Sequence, residues 1–116
     1  MRGTTMIKIG EKDRPIKFGT NQTAEYCSVR GLTLAQYQVE LSSVEAMGVD
    51  FVRDLLYSAL FAGCKAQKID VDFDRYDVGE WLDDMDQGEL DKAFQTFTDS
   101  NKSGSDEQGE GESGKK

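Results

Sequence analysis

The chain contains no histidine, and this absence removes a large part of enzyme chemistry. Histidine-based triads, histidine general acids and nearly all zinc catalysis are excluded. Cysteine is also scarce, since Cys27 and Cys64 are the only two and they form no CxxC pair. Each lies in an apolar run with helical character. That setting predicts small buried hydrophobic residues and leaves a redox or metal role as the lesser alternative.

Long apolar runs and an excess of basic residues are absent too. No stretch approaches the roughly 18 apolar residues that a membrane-spanning helix needs, and no basic-then-apolar leader opens the chain. The sequence has 22 acidic and 14 basic residues, with a net charge of -8. Because an acidic surface repels phosphate, this balance argues against non-specific binding to nucleic acid or to an anionic membrane. We expect a cytosolic protein that binds neither.

The length of 116 residues suits one small domain. Residues 99–116 contain no aliphatic or aromatic side chain, so they cannot bury enough apolar surface to offset the entropy of ordering. We therefore expect a disordered start at 1–5, a single helical domain with an N-terminal hairpin at 6–98, and a disordered polar tail at 99–116. A domain of this size builds one core and does not easily frame a deep enzyme cleft.

Two apolar runs of alternating pattern open this domain. Ile7 and Ile9 fall on one side of a polar turn, and the second run follows Pro15. The pattern predicts a β-hairpin over 6–18, with a loop of four or five residues near 10–13. The proline suits the start of an edge strand, because it has no N–H to donate.

Helical periodicity and capping signals fill the rest of the domain. The predicted N-caps are Thr20 or Asn21, Thr33 with Gln36, Asp50, Asp77 with Glu80, and Asp86 with Glu89. The second helix has a predicted apolar face of Leu34, Tyr37 and Leu41. Gly31 and Gly63 are expected to end the first and third helices. The third helix is apolar on nearly all sides, which places it at the centre of the core.

The predicted fold class is therefore α+β and mostly α. It consists of an N-terminal β-hairpin followed by a compact bundle of about five helices and a disordered acidic tail.

Three aspartates alternate with apolar residues in the stretch IDVDFD, at positions 70, 72 and 74. An EF-hand loop counted from Asp70 needs glycine at its sixth position and glutamate at its twelfth, but these are Arg75 and Trp81. A phosphoryl-transfer aspartate needs a buried strand before it and a larger α/β scaffold, neither of which is indicated. The alternation is typical of an extended surface connector. No metal, cofactor or catalytic residue is predicted.

Acidic residues are concentrated over 70–91, where ten accompany one base, Arg75. Such a density serves solubility or faces a basic partner, and an acidic inhibitor or DNA mimic that occupies a basic nucleic-acid-binding protein is an alternative function. Trp81, Phe94 and Phe97 have helical spacing, which is more typical of core packing than of a binding stripe.

In element order and residue type, the chain resembles the tail assembly chaperones of long-tailed bacteriophages and prophages. The resemblance rests on the hairpin leading into PIKFGTNQTAEYCSVRGLTL, the apolar helix VDFVRDLLYSALFAGCKAQ, the acidic link into DVGEWLDD, and the last helix ELDKAFQTF. It covers about residues 6–98 and includes no catalytic motif. It implies a non-enzymatic role in the cytoplasm of an infected or lysogenic bacterium, with no place in the mature virion.

The resemblance also implies a partner, the tape measure protein, which such chaperones keep soluble while they help to recruit the tail tube protein. Self-association is left open. A small acidic helical module can lay an apolar groove on a helix while its charge keeps the complex soluble. By side-chain type, the candidate partner-binding residues are Tyr26, Tyr37, Met47 and Met85, with core burial as the alternative for each. A small helical adaptor is a further alternative function.

Overall fold

The computed structural model describes residues 3–42 and 48–106, and within these ranges a two-stranded hairpin precedes five helices. This confirms the predicted fold class, except for the tail, which from residue 107 lies outside the described residues. The elements are β1 (Thr4–Ile9), β2 (Lys12–Lys17), α1 (Thr20–Arg30), α2 (Leu34–Leu41), α3 (Val49–Ala66), α4 (Arg75–Asp84) and α5 (Gln87–Asp106).

The hairpin turns more tightly than the sequence suggested. β1 and β2 pair antiparallel around a two-residue turn, Gly10 and Glu11, so the prediction of a four- or five-residue loop is wrong. Both turn residues are left-handed, with φ of 64° and 70°. This is the form of a type I′ turn, whose twist matches that of the strands. β1 also begins at Thr4, ahead of the predicted domain start, and the Gly3 carbonyl accepts the Phe18 N–H at 2.7 Å.

The hairpin is seated on α3 at Gly63. A Cβ atom at this position would lie 2.6 Å from the carbonyl carbon of Pro15 and closer still to its oxygen. Gly63 was expected to end the helix, but α3 continues to Ala66, and the glycine instead allows a strand backbone to approach. Pro15 pairs with Met6 at a position whose N–H would point away from the ladder, so it removes no strand hydrogen bond.

α3 is the hub of the core, as predicted. Its buried apolar side chains include Phe51, Leu55, Leu56, Ala59, Leu60 and Cys64. The hairpin packs Ile7 and Ile16 against this core, and α5 adds Phe97, whose ring centroid lies 5.1 Å from that of Phe18. α2 contributes less than its predicted face, because Leu34 is 58% exposed.

Capping chemistry sets the starts of α2 and α4. The predicted capping box of Thr33 and Gln36 is confirmed, with both reciprocal hydrogen bonds formed. α4 begins earlier than predicted, because Asp74 is its N-cap and Asp77 completes the box as the N3 residue, at 2.9 and 3.0 Å. The segment DRYD itself has capping-box spacing, which explains the shift. Gly31 ends α1 in the left-handed conformation, φ 67°, as predicted.

α1 and α3 begin without the predicted side-chain caps. Their N-cap positions are Gly19 and Gly48, so the assignments to Thr20 or Asn21 and to Asp50 are wrong. Asp50 lies in the first turn of α3, where a carboxylate is favoured by the helix dipole.

α5 begins as predicted after Asp86, whose carboxylate accepts the Gly88 N–H at 3.0 Å. Its predicted box partner Glu89 reaches elsewhere, to the backbone N–H of Lys8. The helix continues past the predicted boundary at 98 to Asp106.

Candidate functional site

An open groove of about 520 Å³ lies between the hairpin turn and the corner where α4 meets α5. Trp81 and Met85 provide apolar surface on the helical side, and Gly10 and Glu11 form the opposite side. A volume of this size falls within the range of known ligand pockets. We therefore take this feature, called the turn groove below, as the candidate functional site.

The turn and Trp81 are fitted to each other. A Cβ atom at Gly10 would lie 2.7 Å from the indole ring, so only glycine allows this approach. The guanidinium of Arg14 lies over the ring at 4.2 Å from its centroid, and Phe73 packs against it at 5.6 Å. Trp81 is thus held from the core side and remains partly exposed. It packs against the core on one side and lines the turn groove on the other.

Arg14 contacts the site through Trp81, and the sequence did not single it out. It is 8% exposed, and it donates from Nε to the Ile9 carbonyl at 3.0 Å and from Nη1 to Asp72 at 3.2 Å. This guanidinium holds the pKa of Asp72 below its usual value. A signal was present, since Arg14 lies two residues before the buried Ile16 and strand alternation puts both on the same face.

Charge surrounds the groove unevenly. Four carboxylates and one ammonium line it, those of Glu11, Asp84, Asp86, Glu89 and Lys8. Glu11, Asp84 and Asp86 are exposed, whereas Glu89 is half-buried and bonded to the Lys8 backbone. The groove therefore has apolar surface with an acidic rim, an arrangement suited to a ligand that is both apolar and cationic.

The edge of β1 beside the groove is closed by side chains of α5. Glu89 accepts the Lys8 N–H at 2.7 Å, and the Lys92 ammonium donates to the Met6 carbonyl at 3.1 Å. These are two of the outward-facing backbone groups of β1 that a strand of another chain would need. The turn groove is therefore open to side chains of a partner but closed to strand addition along this edge.

The Glu89 contact predicts a specific response to acid. The Lys8 N–H and the Lys92 ammonium hold the pKa of Glu89 below its usual value. A carboxylate whose pKa is depressed in the folded state adds stability above its unfolded pKa, and loses it as pH falls through the folded pKa. We expect the urea midpoint to fall as the pH drops below about 5, and to fall less in Glu89→Gln. Glu80→Gln, at an exposed position of α4, should show the same decrease in urea midpoint as the wild type. Equal decreases in the two variants would contradict the stabilising role assigned to Glu89.

Of the three predicted partner-binding residues that the structure describes, Met85 alone lies in the groove. Tyr26 and Tyr37 are 0% and 5% exposed, with ring centroids 5.1 Å apart. Burial and a hydrogen bond to Glu40 raise the pKa of Tyr26, whose polar tip is thus satisfied inside the fold. The structure removes both tyrosines from the candidate surface and gives them the alternative role, core packing. Met47 lies outside the described residues.

A second cluster of charges surrounds Asp54, which is 1% exposed. Its carboxylate pairs with Arg30 at 3.1 Å, Arg53 at 2.8 Å and Arg75 at 3.3 Å. Arg30 also pairs with Glu40 at 3.0 Å, so the cluster joins α1, α2, α3 and α4. Each guanidinium is already matched by a carboxylate. We assign this cluster to helix packing and not to ligand binding.

Other reactive groups have local roles. Burial raises the pKa of the Cys27 and Cys64 thiols, which favours their protonated, weakly nucleophilic form at neutral pH. Asp72 is held by Arg14, and Asp74 caps α4. Among the described residues, no group of three or more histidine, cysteine, aspartate or glutamate side chains is placed to hold a metal ion.

Comparisons of the chain with protein-family models, with curated proteins and with solved structures give no match. The turn groove and the sequence pattern are therefore the basis on which a function is proposed.

Proposed function

We propose that the protein is a phage tail assembly chaperone, which binds and solubilises the tape measure protein and helps to recruit tail tube subunits during tail morphogenesis. The observation that supports this best is the turn groove, with apolar surface from Trp81 and Met85 under an acidic rim. A tape measure protein exposes long apolar helical surface before the tail tube encloses it. An open groove with aromatic and methionine side chains is a recurrent way to hold such a helix reversibly.

The distribution of charge supports the same role, which is non-enzymatic and cytoplasmic. Eight of the ten acids within 70–91 are exposed, so they form an outward negative surface around α4. This surface would keep a complex with an apolar helix in solution and away from DNA. Within the described part of the chain, no helix is long and apolar enough to cross a membrane.

Co-expression with the tape measure protein of the same genome tests the proposal. We expect the wild-type chain to keep that protein in the soluble fraction and to purify with it. Met85→Lys should lower the amount that co-purifies about tenfold, which corresponds to about 1.4 kcal/mol of binding free energy. Tyr76→Lys is the matched control, because Tyr76 is on α4, 73% exposed and outside the groove.

Failure of the wild-type chain to solubilise or bind the tape measure protein would overturn the proposal. Salt-sensitive capture of a basic DNA-binding protein in its place would favour the acidic inhibitor, whose supporting observation is the exposed acidic surface of α4.

A further inference from the structure

We propose that the turn groove recognises a lysine or arginine side chain presented by an amphipathic partner helix. The aliphatic stem of that side chain lies along Trp81 and Met85, and its cationic head meets the acidic rim. This inference rests on the proposed function, because the tape measure protein supplies the helix. It specifies that the partner helix has a basic residue beside its apolar stripe.

Two carboxylates of the acidic rim are not used in contacts within the described part of the fold. Among the described residues, the carboxylates of Glu11 and Asp84 form no ion pair and no hydrogen bond, although both residues line the groove. Asp86 uses one oxygen to cap α5, and Glu89 is engaged with the Lys8 N–H and with Lys92. Two uncompensated carboxylates beside apolar surface match a side chain with an apolar stem and a charged end.

The position of Arg14 decides where the cation goes. Its guanidinium already covers the indole of Trp81 at 4.2 Å, so a cation–π contact is formed from within the chain. Trp81 thus already has a cationic partner, and the rim carboxylates of Glu11 and Asp84 are the groups that, among the described residues, lack one and can pair with an incoming cation. This separates the groove into an apolar part for the stem and a charged part for the head.

The occupant is a helix of another protein for two reasons. The edge of β1 at the groove is closed by Glu89 and Lys92, which excludes an added strand. A second copy of this chain, with its net charge of -8, would bring a further acidic surface toward an acidic rim. A basic amphipathic helix needs no strand pairing, and its charge is opposite to that of the rim.

Trp81 makes the test direct, because it is the only tryptophan in the sequence. The probe is a fluorescently labelled amphipathic peptide of about 18 residues, long enough for several helical turns, built from leucine, alanine and lysine. Its counterpart has glutamate in place of lysine at the same positions. We expect the lysine peptide to bind, by anisotropy, and to change the emission of Trp81, and the glutamate peptide to do neither.

Charge reversal at the rim identifies the site. Glu11→Lys with Asp84→Lys should weaken binding of the lysine peptide on the order of tenfold. The matched control is Asp70→Lys with Asp99→Lys, which makes the same change in net charge at exposed positions outside the groove; Asp99 lies ten residues beyond Glu89 on α5, about 15 Å along the helix. Because the Debye length is about 8 Å at physiological salt, the control should weaken binding less than about threefold.

The outcomes separate this inference from the proposed function. Equal weakening by the two double variants, or equal binding of the glutamate peptide, overturns the inference even if the tape measure protein is solubilised. A rim-dependent, Trp81-reported interaction supports the inference even if the tape measure protein is not bound. Sedimentation could instead show self-association that is lost in the Glu11→Lys and Asp84→Lys double variant. That result would assign the groove to a second copy of the chain and would also overturn the inference.

Discussion

Replacing Asp54 by alanine is expected to destabilise the fold by about 3–5 kcal/mol, as for other buried charge pairs that lose one partner. The carboxylate is 1% exposed and pairs with three guanidinium groups from three helices. Of these, Arg30 has a side chain only 16% exposed, and it cannot move into water as easily as the others. Domains of this size are stable by roughly 5–15 kcal/mol, so this loss is a large part of the whole.

Asp54→Asn and Asp50→Asn form a matched pair for this prediction. Both residues are on α3 and both pair with Arg30, but the Asp50 side chain is 62% exposed. An exposed pair contributes below about 1 kcal/mol and is screened by salt. In urea unfolding, Asp54→Asn should lower the free energy of unfolding clearly more than Asp50→Asn, and its effect should persist at high salt. Equal and salt-sensitive losses would show that the buried carboxylate has no special role.

The fold was predictable where one chemical signal acts locally. The apolar period of α3 and the capping box of Thr33 and Gln36 each identify an element from a few neighbouring residues. The hairpin turn was mistaken because Glu11 occupies a left-handed position that usually favours asparagine or glycine. The role of Gly63 depends on a strand nearly fifty positions away in the chain, and no local pattern shows such a contact.

The groove was predictable only in part, for a similar reason. Met85, selected for its flexible apolar side chain near a helix end, lies in the turn groove. Tyr26 was selected by the same rule, but its hydroxyl finds Glu40 inside the fold and the ring becomes core. Arg14 is the opposite case, a charged residue that is buried. Its partners Asp72 and Trp81 are distant in the sequence, so no local pattern indicates this burial. Side-chain type indicates what a residue can do, whereas long-range packing decides whether it is available.

Gly63→Ala is expected to lower the free energy of unfolding by about 3 kcal/mol, at the upper end of overpacking effects. The added Cβ would lie 2.6 Å from the carbonyl carbon of Pro15 and 3.0 Å from the Cα of Ile16. Both are backbone atoms of β2, so no side-chain rotation can relieve the overlap, and the hairpin must move away from α3. The free energy from urea unfolding, with the m-value checked for two-state behaviour, measures the loss.

Gly79→Ala is the matched control, because it makes the same change inside α4. Its added Cβ would meet only the flexible side chain of Arg53, at 3.4 Å. Alanine is favoured over glycine in a helix interior by about 0.5–1 kcal/mol, so this variant should be more stable than the wild type. The two substitutions are thus expected to change the free energy of unfolding in opposite directions.

The fluorescence of Trp81 gives a second readout. Because the hairpin also forms one side of the turn groove through Gly10, Gly63→Ala should change the native emission of Trp81, whereas Gly79→Ala should leave it unchanged. A small loss in Gly63→Ala with unaltered emission would mean that the hairpin is not seated on α3 at this glycine.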